Sequence, residues 1–82
     1  MTDNFYPDEY RKFEAILRGL RAEQKVTQAQ VAERMGVFQG RVSRFESGER
    51  RMDLVELRCW CVAVGVTVEE VIRRFEAVVK DK

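Results

Sequence analysis

Between positions 39 and 51 the chain carries the side chains best suited to chemistry: Gln39, Arg41, Ser43 and Arg44, then Arg50 and Arg51. A glutamine can bond N6 and N7 of adenine together, and an arginine O6 and N7 of guanine, so such groups on one short helix suit the reading of base edges in a major groove. Gln39, Arg41 and Arg44 are the base-reading candidates. Arg50 and Arg51 follow Gly48 in a loop, where guanidinium groups either bond phosphate oxygens or stay solvated. The groups of catalysis are sparse by comparison. There is no histidine, the only cysteines are Cys59 and Cys61, and no nucleophile and base pair, metal-ligand cluster or phosphate-cradling glycine loop is found. An enzyme is therefore not expected, nor is a cofactor or a metal. Two apart on a helix, the cysteines stand about 200° around its axis and cannot join each other or share a metal. Cys61 and Trp60 are expected in the core and Cys59 on the surface.

Helices must position these groups, because apolar residues recur at intervals of three and four and no segment alternates with a period of two. Five helices are predicted. The first begins near Pro7, carries Tyr10, Phe13, Ile16, Leu17 and Leu20 on one face, and ends around Gln24. Thr27 and Gln30 have the spacing of a capping box ahead of a second helix that runs to Met35 and stops at Gly36. A third spans Gln39 to Ser47, with Val42 and Phe45 inward and Gly48 as its stop. Asp53 and Glu56 repeat the box ahead of Leu54, Leu57, Trp60, Cys61 and Val64, and Gly65 closes this fourth helix. Thr67 and Glu70 repeat it before the fifth, where Val68, Val71, Ile72, Phe75, Val78 and Val79 form a stripe wider than a small monomer needs. Val55, Val62, Val78 and Val79 are candidates for a two-fold contact, or else cover the protein's own first helix.

The second and third helices have the packing logic of a helix-turn-helix. Val31 and Met35 bury the first of the pair, and Ala32 is small where the two cross. Gly36 suits a positive φ in the turn, and Val37 anchors that turn in the core. What remains facing outward is Gln39, Gly40, Ser43 and Arg44, with Arg41 on the flank.

At 82 residues the chain is the size of one domain, 1–82, with 45% hydrophobic and 35% charged residues, enough to bury a core. A net charge of +1 excludes histone-like coating of nucleic acid by bulk attraction. That sum hides unlike segments: residues 1–10 carry −3, whereas residues 34–51, which contain the reading helix, carry +3. No stretch approaches the roughly 20 apolar residues of a membrane span, and the opening MTDNFYPDEY lacks the apolar core of a signal peptide, so a reducing cytoplasm and no membrane partner are expected.

Residues 17–72 resemble the lambda-repressor-like (Xre, Cro/C1-type) helix-turn-helix family, through LRxLR in the first helix, TQxxVAERMGV in the second, VSRFESGERR in the third and its loop, and AVGVTVEEV at the end. The resemblance implies a bacterial or phage DNA-binding regulator with an all-α, five-helix fold, usually a homodimer on a palindromic operator. It further implies that Gln28 clamps a phosphate, that Gln39 reads a base, that Gly40, Arg41 and Arg44 occupy positions where sequence preference is varied, and that Ser43 and Arg51 contact the DNA backbone. Two residues depart from the pattern. Phe38 stands where the family usually has a Ser or Thr that caps the recognition helix, so that end is left for a phosphate to hold. Gly40 brings no side chain to a base-reading position, which shifts readout toward Gln39 and the arginines.

A transcriptional repressor binding double-stranded DNA is the leading expectation. The other class is an antitoxin-like interaction module that neutralises a cognate protein, with DNA binding secondary; the short tails, 1–6 and 80–82, leave little chain to wrap such a partner. The compact length also suits the controller proteins of restriction-modification systems, which activate as well as repress.

Overall fold

The computed structural model describes residues 7–80, and both tails apart from Lys80 lie outside that range. Five helices follow one another: α1 (Pro7–Gln24), α2 (Gln28–Met35), α3 (Gln39–Ser47), α4 (Leu54–Val64) and α5 (Val68–Lys80). The fold class is all-α, as expected from the sequence.

Local chemistry sets most of these limits. Asp8 and Glu9 in the first turn of α1 complement the positive end of its dipole. Thr27 accepts from the Gln30 N–H and its own N–H donates to the Gln30 side chain, and Asp53 and Glu56 make the same reciprocal pair at the start of α4. Thr67 Oγ1 accepts from the Glu70 N–H at 3.0 Å to open α5. Gly48 ends α3 with φ at 87°, a left-handed conformation that demands glycine, while a Cβ there would only push aside the Glu14 carboxylate at the end of its flexible side chain.

Leu17, Leu20, Val31, Val42, Trp60, Cys61 and Val71 are almost fully buried, so all five helices share one core. α1 lies across α3, α4 and α5, while α2 packs on both α3 and α4. α5 is fastened to α1 by an edge-to-face pair, Phe13 and Phe75, 6.3 Å apart, and by the Arg74 guanidinium, which donates to both oxygens of Glu23 at 2.7 and 2.9 Å. Arg74 holds the Glu23 carboxyl below its usual range, and Arg73 and Arg74 do the same to Glu70. At the other end of α2, Arg34 donates to the Ala63 carbonyl at 2.7 Å and so caps the last turn of α4.

Two apolar positions differ from the expected stripes. Leu54 is 70% exposed and Ile72 is 49% exposed. Leu54 is the first residue of α4, ahead of the turns that carry Trp60, Cys61, Ala63 and Val64 into the core. Ile72 is 100° around α5 from the buried Val71, at the edge of the face that meets α1.

Candidate nucleic-acid interface

Gly36 takes φ 75°, and the Val37 N–H returns to the Ala32 carbonyl at 3.0 Å, which turns the chain sharply between α2 and α3. Ala32 is buried at the crossing. Val42 and Phe45 pin α3 from beneath, at 0% and 2% exposure. The opposite face is thereby set outward: Gln39, Gly40, Arg41 and Arg44 are exposed and Ser43 is half-buried.

Glu46 supplies the part of this arrangement that the sequence reading did not anticipate. Its side chain, in a residue only 1% exposed, accepts from Arg21 Nε at 2.8 Å and Arg21 Nη2 at 3.0 Å, and from Gln28 Nε2 at 3.1 Å. Arg18 donates to the Glu46 backbone carbonyl, and Arg21 Nη1 reaches the Val26 carbonyl at 3.0 Å. One buried carboxylate thus ties α1, α2 and α3 together and orients Gln28 at the first position of α2. A cue was present: Glu46 follows Val42 by four residues, on the face that goes inward, and Arg18 and Arg21 lie one turn apart on α1.

Gly40 and Arg44 are also coupled. A Cβ on Gly40 would stand 3.3 Å from Arg44 Nη1, 3.7 Å from Nη2 and 3.8 Å from Cζ, so the Arg44 side chain runs back along the helix and lays its guanidinium over Gly40. The absent side chain leaves room for the Arg44 guanidinium above the first turn of α3.

The two loop arginines are placed differently from each other. Arg50 is half-buried, with Nη2 paired to Glu56 and its guanidinium carbon 5.5 Å from the centre of the Phe45 ring. Arg51 is exposed, and its guanidinium carbon lies 3.9 Å from the centre of the Tyr10 ring. Both side chains therefore hold the α3–α4 loop against the body of the protein.

Away from α3, Val55 and Val62 are 77% and 66% exposed and line a shallow groove with Arg34, Arg58, Cys59 and Ala63. Val78 is 39% exposed and Val79 half-buried in the last turns of α5, so the four valines lie on two separate helices. Cys59 is exposed and Cys61 buried; burial, with a smaller contribution from Glu69, pushes the Cys61 thiol up to about 11. Among the described residues no helix is long and apolar enough to cross a membrane.

A family model described as a helix-turn-helix domain matches residues 15–74. Among solved structures, an Xre-family-like protein from Pseudomonas syringae pv. tomato str. DC3000 is similar at 28% identity and a TM-score of 0.84, over 94% of this chain and 94% of that one. The clp gene regulator ClgR from C. glutamicum is similar at 29% identity and a TM-score of 0.75, over 84% of this chain and 88% of that one. No curated protein matches the chain.

Proposed function

The chain belongs to the helix-turn-helix domain family, of the Xre type, and is a DNA-binding regulator of transcription; from that premise we propose that it represses by occupying a palindromic operator as a homodimer. One observation carries the reading. α3 buries Val42, Phe45 and Glu46 completely on one side and leaves Gln39, Arg41 and Arg44 exposed on the other, a helix held rigidly from below with base-reading groups on top.

In this reading Gln39, Arg41 and Arg44 meet base edges. Gln28, held by Glu46, clamps a phosphate beside the start of α2, and Ser43, Arg50 and Arg51 contact the backbone further along. The described part of the protein measures 35 Å in its longest dimension and presents one such helix. Reaching two successive major grooves, about 34 Å apart, therefore takes two copies. The exposed Val55 and Val62 and the partly exposed Val78 and Val79 are the apolar surface proposed for that contact, and residues 1–82 act as one domain. The setting is the cytoplasm.

Selection of bound duplexes from a random pool should return an inverted repeat whose half-sites are centred about 10 base pairs, or one helical turn, apart. Recovery of unrelated sequences with no shared half-site would overturn the reading. Affinity should also fall steeply with salt, because each phosphate contact releases counterions.

A further inference from the structure

Phe38 is the N-cap of α3, and its side chain gives no hydrogen bond to the helix it starts. The residues in the same place before α2, α4 and α5, Thr27, Asp53 and Thr67, each accept from a backbone N–H of the first turn. Phe38 does not make up for the missing cap by burial. It is 89% exposed, the most exposed large hydrophobic side chain among the described residues. In the free protein the ring therefore neither caps nor packs, although a serine there would do the first.

Its surroundings supply the use. Phe38 immediately precedes Gln39 at the end of the recognition helix that enters a groove first, and Gly40 beyond it has no side chain to compete for the same space. The Arg44 guanidinium lies over Gly40, so this turn offers an amide, a cation and a single apolar ring. A phenyl ring has no donor or acceptor to give a base edge. The feature of the major groove that it complements is the 5-methyl group of a pyrimidine.

We propose that Phe38 is a specificity-determining residue that packs on a pyrimidine 5-methyl group, in ordinary DNA that of thymine, beside the base pair met by Gln39. This rests on the reading of α3 as the recognition helix. The residue that costs the helix its cap thus adds an apolar contact to a set of otherwise polar ones.

The test uses the full chain and an operator duplex obtained by selection, with deoxyuridine replacing each thymine and 5-methylcytosine replacing each cytosine, one symmetric pair at a time. Uracil should weaken binding at one position of each half-site, by about fourfold per half-site if the loss is that of burying one methyl. Phe38→Ser, which supplies the missing acceptor at the cap and so should fold, should bind the thymine and uracil duplexes equally. If the methyl group in question is that of a modified cytosine, 5-methylcytosine at one position will instead strengthen binding by the native chain and not by the variant, which equally supports the proposal. The proposal is overturned if the native chain ignores every methyl removed or added, or if Phe38→Ser retains the same sensitivity. Sequence-selective binding without methyl dependence defeats this inference alone, whereas binding with no sequence preference defeats the recognition-helix reading as well.

Discussion

At the scale of single residues, Glu46 shows how a charge can be both structural and preparatory. Its carboxylate is buried against the Arg21 guanidinium and the Gln28 amide, so its loss would leave a half-buried cation without its partner. Glu46→Gln is expected to cost about 3 kcal/mol in a urea titration, toward the low end for breaking a buried pair because the Arg21 side chain keeps 22% of its exposure. A loss below about 0.5 kcal/mol would show that the network contributes little. The cysteines separate just as clearly. A thiol-alkylating reagent at neutral pH should modify Cys59 in the folded protein and reach Cys61 only after unfolding. Because the folded-state pKa of Cys61 is raised from 9.0 to about 11, the unfolded chain gives up that proton first. Stability is therefore unaffected by this group below about pH 9 and falls as pH rises through the window to about 11, which an alkaline series of unfolding curves would reveal. Much of this scale was legible in the sequence: Cys61 and Trp60 go inward and Cys59 outward, and Gln39, Arg41 and Arg44 lie exposed on α3. Glu46 left only a cue, its place four residues after Val42, since a carboxylate is a surface residue until its partners are known, and those partners lie 25 and 18 residues away on other helices.

At the scale of elements, helix limits follow from groups only a few residues apart, and for that reason α2 and α4 stand where their capping boxes and glycine stops predict them, and α3 ends at its glycine stop. The exposure of Leu54 and Ile72 was not legible in the same way, because periodicity defines an apolar stripe without saying how wide the covering neighbour is. Gly40 and Gly48 give opposite expectations for the same substitution. Gly48→Ala places a Cβ at φ 87° and against Glu14, and should lower stability by roughly 1–2 kcal/mol in thermal or chemical unfolding. Gly40→Ala sits in regular helix and should raise stability by about 0.5–1 kcal/mol. Yet its Cβ would crowd Arg44 Nη1 at 3.3 Å, so operator affinity should fall while stability rises. If Gly40→Ala gains stability and keeps full affinity, the path of Arg44 over Gly40 is not the one used on DNA.

At the scale of the whole molecule, the net charge of +1 is a poor guide to what the surface does. Positive charge is concentrated between residues 34 and 51, and the one carboxylate of α3, Glu46, is turned inward against Arg21. The outward side of that helix is left with Arg41 and Arg44 as its charged groups. A nearly neutral protein can thus meet DNA locally, with selectivity arising from which groups reach the bases rather than from bulk attraction. The most direct measurement is the affinity of the native chain and of Gln39→Ala, Arg44→Ala and Gln28→Ala for the selected operator and for its full set of single-base-pair variants. Gln39→Ala and Arg44→Ala should each lose discrimination at their own base pair, by about 1–3 kcal/mol, while Gln28→Ala weakens every duplex by a common factor. If all three variants keep the native ranking and the native affinities, α3 is not the reading element and the account is wrong.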